Sequence, residues 1–217
     1  MAGGFPWRLV TVDIDGTLTR GHGWREVAVA FGRLPAFEQT NRRFRAHEVS
    51  EDDHLAALLA IATGHTVAEV EAVVARTPKL LGIGEGIREL HVLEARIALL
   101  THNPDYVADW YCRTFGFDGF EGTSAQSVVD GRIGPPVGVH ADKPGGLARL
   151  LSRWDLPAAT AVHIGDGASD AAVFPRIGGG VALNSHDPEV VRAADIALTT
   201  TDFREVVRRL RALPPRR

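Results

Sequence analysis

Arg8-Leu-Val-Thr-Val12, running without a break into Asp13-Ile-Asp15-Gly-Thr-Leu-Thr19, decides the fold. Its first half is apolar and β-branched and reads as a buried strand; its second half breaks into a polar loop. Four further short apolar runs have the same character: Arg96-Ile-Ala-Leu-Leu100, Ala159-Thr-Ala-Val-His-Ile164, Gly180-Val-Ala-Leu183 and Asp195-Ile-Ala-Leu198. Each fits a strand covered on both faces, as in a parallel sheet. Helical patterns separate them. Asn103-Pro104 reads as an N-cap with proline at the first helical position, leading into 105–115, and Asp187-Pro188 repeats the signal before 189–194. Strand and helix in alternation give the fold class: α/β, with a doubly wound, Rossmann-like parallel sheet.

One segment interrupts that alternation. Residues 21–82 hold helical patterns and no strand. Ser50-Glu-Asp-Asp53 and Thr66-Val-Ala-Glu69 resemble capping boxes, and apolar residues recur behind them at three- and four-residue spacing (Leu55, Leu58, Leu59; Val67, Val70, Val73, Val74). Gly32, Pro35, Gly64 and Pro78 rule out a single long helix. The expected organisation is therefore a core domain of 1–20 and 83–217 and a small helical cap of 21–82, inserted after the first strand. Asp130-Gly131, set between β-type residues in 127–133, predicts a hairpin.

Composition narrows the function. The chain has 217 residues, 45% hydrophobic and 24% charged, and needs no disulfide or structural metal to hold a core. A net charge of −3 leaves no polyanion-binding footprint, so nucleic acid is not an expected partner. The basic tail from Arg208 reads as a solvated helix end. The longest apolar run, Leu55 to Ala62, is far short of the roughly 20 residues of a membrane span, so no membrane partner is expected. The single cysteine, Cys112, excludes an internal disulfide and a cysteine-based zinc site. With no signal-peptide pattern over Met1–Trp7, the expected location is cytoplasmic. Among 24 basic residues only Lys79 and Lys143 are lysines, which asks what arginine could not do there.

The polar loop carries the chemistry. Asp13 and Asp15 follow a strand directly, the end of an open α/β sheet that faces the ligand crevice. Two carboxylates so close repel unless a cation or a catalytic task compensates. Asp-x-Asp also opens calcium loops, but the later acidic ligands of such a loop are missing. A solvated acidic turn is the plain alternative, and a second cluster weighs against it. Ala161-Val-His-Ile164 ends in Gly165-Asp166-Gly167-Ala168-Ser169-Asp170, again carboxylates at a strand end. The sheet would bring Asp166 and Asp170 beside Asp13 and Asp15, and four hard oxygen donors suit Mg²⁺.

Asp13-x-Asp15-Gly-Thr-Leu-Thr19, the hydroxyl of Thr101 at a strand end, Lys143, and Gly165-Asp-Gly-x-x-Asp170 together resemble the four motifs of the haloacid dehalogenase superfamily, in that family's order. The inserted helices and the 130–134 hairpin resemble its phosphoserine phosphatase-like branch. The resemblance implies a Mg²⁺-dependent phosphomonoester hydrolase acting on a small soluble phosphomonoester. Asp13 would be the nucleophile, forming an aspartyl-phosphate, and Asp15 the acid/base. Thr101 and Lys143 would hold the phosphoryl group, with His102 also at the substrate. Asp13, Asp15 (through its carbonyl), Asp166 and Asp170 would bind the metal or orient its ligands. A phosphomutase shares this chemistry; a phospho-accepting or binding domain would not need Asp15, and dehalogenation would leave the second acidic cluster unexplained.

This chain departs from that branch in places. Thr101 is followed by His102 and Asn103 where the branch has two glycines, and His22 stands where it has a serine-binding glutamate, nine residues past the nucleophile. Arg42, Arg43 and Arg45 are the candidates for its cap arginine. The expected direction of His102 is toward the cap, with a charge that changes between about pH 6 and 7. Asn103 is expected only to cap a helix. The sequence leaves the substrate, the pathway and the oligomeric state open.

Overall fold

The computed structural model describes residues 4–216. In chain order its elements are β1 (Leu9–Val12), α1 (Gly23–Ala30), α2 (Leu34–Arg45), α3 (Glu51–Leu59), α4 (Val67–Arg76), α5 (Ile83–Val92), β2 (Arg96–Pro104), α6 (Asp105–Phe115), β3 (Gly119–Thr123), β4 (Gln126–Val129), β5 (Arg132–Pro136), α7 (Lys143–Arg153), β6 (Ala161–Gly165), α8 (Ala168–Ala171), β7 (Gly179–Leu183), α9 (Pro188–Ala193), β8 (Ile196–Leu198) and α10 (Phe203–Ala212). Six strands form one parallel sheet in the order β3-β2-β1-β6-β7-β8. β1, with all four residues buried, lies between β2 and β6, pairing Leu9 with Arg96 on one side and with Ala161 on the other. The strand order reverses at β1, so the loops leaving β1 and β6 diverge and open a crevice there. Asp13 and Asp166 head those two loops.

The five expected strands are present and β3 is an addition. Gly119-Phe-Glu-Gly-Thr123 holds two glycines and no β-branched residue before its last position, and it is an edge strand whose register to β2 is irregular. β8, the opposite edge, is half-exposed rather than covered on both faces. A second departure is at Asn103-Pro104. β2 runs through Pro104, which itself takes the N-cap position without a side-chain cap, and α6 starts at Asp105. A residue before proline is driven to extended backbone, so Asn103 stays in the strand and its side chain is free for other work.

Between β1 and α5 the chain forms α1–α4. Thr66 and Glu69 make the reciprocal capping box at α4; at α3 the Ser50 hydroxyl accepts the Asp53 N–H at 3.1 Å. The β4–β5 hairpin turns at Asp130 and Gly131, both left-handed (φ 48° and 75°), as a tight two-residue turn requires. It then bonds to the α3–α4 connection: Gly64 N–H to Ile133 O at 2.8 Å, Ile133 N–H to His65 O at 2.9 Å, and Val67 N–H to Gly131 O at 2.9 Å. Two adjacent chain crossings carry the block: Arg20 N–H donates to Pro78 O at 2.8 Å and Leu80 N–H to Leu18 O at 2.9 Å. Among the described residues no helix is long and apolar enough to cross a membrane.

Candidate active site

Side chains from the ends of β1 and β6, from β2 and from the helices α7 and α8 converge at the crevice. Asp13 is anchored by its N–H to Ile164 O at 2.9 Å, which ties the end of β1 to β6. Its Oδ1 lies 3.1 Å from Nζ of Lys143. Lys143 is the first residue of α7, whose N-cap Asp142 accepts the Gly145 N–H at 2.8 Å; the cap aims the lysine inward, where it is 4% exposed. Lys143 is thus a buried lysine and not part of the surface.

Lys143 also donates to Asp170 Oδ1 at 2.5 Å. That carboxylate is fully engaged. Oδ1 meets His163 Nε2 at 2.8 Å, and Oδ2 accepts the N–H groups of Asp166 (3.1 Å) and Gly167 (3.0 Å). His163, in the middle of β6 and wholly buried, has its other nitrogen 2.9 Å from Thr11 Oγ1 on β1. In sequence His163 is one more residue of an apolar run; its place two residues before the end of β6 is the signal that links it to the site.

Asp13, Asp166 and Asp170 offer carboxylate oxygens within 4.8 Å of one another. Thr17 Oγ1 donates to Asp166 Oδ1 at 3.0 Å. Gly16 has φ 77°, and a Cβ there would overlap the Asp166 carboxylate, so this loop needs glycine on both counts. Burial raises the Asp13 carboxyl to about 6, with Lys143 opposing and Asp170 and Asp15 adding to the rise. Burial and the two neighbouring carboxylates raise Asp166 to about 8. For Asp170 burial works the same way, but Lys143 and His163 prevail and hold it below the ordinary carboxylate range. Lys143 is raised despite burial, by Asp13 and Asp170. One lysine therefore answers several crowded carboxylates, and the donor set is oxygen throughout. These residues fit a hard divalent cation such as Mg²⁺.

Asp15 points elsewhere. Its Oδ1 accepts the Gly23 N–H at 2.7 Å, and its Oδ2 accepts Nδ2 of Asn103 at 3.3 Å with His22 Nδ1 3.4 Å away. Asn103 Nδ2 also donates to Thr101 Oγ1 at 3.1 Å, and Thr101 is buried at the end of the apolar part of β2. Asn103 is thus not an N-cap but a brace between the acid/base candidate and the hydroxyl candidate. His102 turns toward α3, its Nδ1 3.8 Å from Glu51 Oε1. Burial, helped by Lys143, lowers its pKa to about 4, so its charge does not change between pH 6 and 7 as expected for a solvated imidazole.

A cavity of about 860 Å³ lies over these groups; Asp13, Asp15, Thr101, His102, Lys143 and Asp166 are at its base. Arg42, Arg43 and Arg45 do not line it, and Arg43 instead pairs with Glu48 at 3.6 Å.

Comparison with known proteins supplies the family. Phosphoserine phosphatase SerB2 of Mycobacterium tuberculosis is 25% identical over 203 residues, covering 90% of this chain and 49% of the relative. The phosphoserine phosphatase of Archaeoglobus fulgidus is 23% identical, covering 83% and 53%. This chain thus spans about half the length of those two relatives. That of Idiomarina loihiensis is 23% identical over 92% of this chain and 91% of its own. Among solved structures, a substrate-bound phosphoserine phosphatase complex superposes with a TM-score of 0.79 at 20% identity (94% and 98% covered). A haloacid dehalogenase family hydrolase from Salmonella enterica serovar Typhi gives 0.84 at 16% (92% and 69%). These likenesses show a shared fold. The family model for haloacid dehalogenase-like hydrolases matches residues 7–178, from just before β1 to just before β7. A match over most of the chain, taking in the ends of β1, β2 and β6 and the start of α7, decides membership: the chain belongs to the haloacid dehalogenase-like hydrolases.

Proposed function

We propose that the chain is a Mg²⁺-dependent phosphomonoester hydrolase with a phosphoserine phosphatase-like layout, acting in the cytoplasm on a small soluble phosphometabolite through an aspartyl-phosphate. The observation that carries the reading is the separation of two neighbouring carboxylates into different settings. Asp13 is buried beside Lys143 and the acidic group, whereas Asp15 is turned 23-ward and braced by Asn103. A pair split in this way suits a nucleophile and an acid/base.

Asp13 attacks phosphorus as the bond to the leaving oxygen breaks, and Asp15 delivers a proton to that oxygen. Asp15 then takes a proton from the water that attacks the aspartyl-phosphate, and phosphate leaves with Asp13 restored. Lys143 keeps Asp13 ionised against its burial and faces the phosphoryl oxygens as a compact charge. Thr101 holds a phosphoryl oxygen through its hydroxyl proton while its lone pairs accept from Asn103. Asp13, Asp166 and the Asp15 carbonyl would hold Mg²⁺, with Asp170 binding or orienting, and the ion would supply charge neutralisation of the phosphoryl group. In this reading 21–82 is a cap that covers the core of 1–20 and 83–217 and limits the site to small substrates. Asp13→Asn keeps the shape and removes the attacking charge. Release of phosphate from p-nitrophenyl phosphate in Mg²⁺ should drop at least about 10³-fold in kcat, roughly 4 kcal/mol; a variant keeping a tenth of the activity would remove the mechanism.

A further inference from the structure

The roof of the cavity has a one-sided chemistry. α1 contributes Trp24, α2 Phe44, and α3 His54, Leu55 and Leu58. Trp24, Leu55 and Leu58 are at most 4% exposed, so packing fixes the faces they turn to the cavity. Phe44 and His54 stack face to face, with centroids 4.3 Å apart and planes 7° from parallel. His54 Nε2 lies 3.2 Å from Asn41 Oδ1, which orients the ring. Burial, reinforced by His22, lowers the His54 pKa, so the stacked imidazole is neutral at neutral pH. The formal charge that these helices do bring to the cavity is negative: Glu51, the first residue of α3. The arginines of α2 point away from it. Arg20, on the exposed segment between β1 and α1, is the one guanidinium in the lining among the described residues.

A leaving group with its own carboxylate would set that charge against aromatic and aliphatic carbon and beside Glu51, where little offsets its desolvation. A leaving group with an apolar body would instead be buried against surfaces already held in place. We infer that the site accepts phosphomonoesters of alcohols with an apolar, ring-sized body and no second anion, rather than those of an amino acid. The inference rests on the phosphomonoesterase reading and narrows it.

The test compares primary alkyl phosphates, so that intrinsic reactivity stays near constant: 2-phenylethyl phosphate, ethyl phosphate and O-phosphoserine, each with Mg²⁺. The expected kcat/KM for 2-phenylethyl phosphate exceeds that for each of the others at least about tenfold. In Phe44→Ala the 2-phenylethyl-to-ethyl ratio should fall severalfold, mainly through KM. In Glu51→Gln the phosphoserine-to-ethyl ratio should rise. Ratios within one variant do not depend on the fraction folded, so a partly unfolded variant still reports. Preference for phosphoserine, above all one that Arg20→Gln abolishes, overturns the inference and leaves the phosphatase reading standing. Equal kcat/KM for all three does the same. Release of phosphate from none of them, ethyl phosphate included, overturns the phosphatase reading and the inference with it.

Discussion

His102 shows how one residue's surroundings change its chemistry. A solvated imidazole titrates near 6.5. Here it is tucked under α3 with Lys143 nearby, and its pKa falls to about 4. The unfolded chain therefore takes up a proton between about pH 6.5 and 4 that the folded chain refuses, so stability falls as pH falls through that window. From pH 7 to pH 5 this residue should cost about 2 kcal/mol. Urea unfolding at the two pH values, for the wild type and His102→Gln, measures it: the variant should lose less by about that amount. Equal losses would place His102 in water. Asp13, Asp15 and Asp166 were legible because a strand end followed by a carboxylate is a local pattern, and Lys143 only through the family resemblance. Asn103 and His163 were not. The work of each is defined by a partner brought near only by the sheet: Asp15 for Asn103, and Thr11 for His163.

At the scale of elements, periodicity and caps sufficed where an element is internally consistent. α4 carries its own start signal, the β4–β5 hairpin its own turn, and the central strands their own hydrophobicity. β3 has none of these and exists because β2 offers an edge to it. Packing between elements is the part that sequence conceals most. Gly86, in mid-helix on α5, reads as a weakness that alanine should mend by about 1 kcal/mol. In the fold a Cβ on Gly86 would stand 2.6 Å from Phe203 Cδ1 and 3.2 Å from Val207 Cγ2, both on α10. Phe203 is fully buried, and overpacking of this kind costs roughly 1–3 kcal/mol. Gly86→Ala should therefore lower the melting temperature by a few degrees rather than raise it. A thermal melt decides, and an unchanged or higher midpoint would mean that α10 yields.

For the whole molecule, the crowded carboxylates would make cation binding and proton release one event. Asp166 at about 8 and Asp13 at about 6 hold protons that a metal must displace. Affinity for Mg²⁺ should rise from pH 6 to pH 8, by at most about tenfold per pH unit for each proton displaced. Calorimetry at pH 7 in buffers of different ionisation enthalpy should find about one proton released. Affinity that is flat over this range, with no proton released, would contradict it. The central place of β1 has another consequence, in time. β1 is made before both of its partners: Leu9 needs Arg96 on one side and Ala161 on the other. At 5–20 residues per second, its second partner arrives roughly eight to thirty seconds later. Throughout that interval α1–α4, built from neighbours in sequence, can form while the strand that precedes them waits unpaired and then half-paired. Synthesis of this chain thus completes the α1–α4 block before the sheet, and the buried β1, apolar but for Thr11, is the segment a nascent-chain chaperone would have most reason to shield.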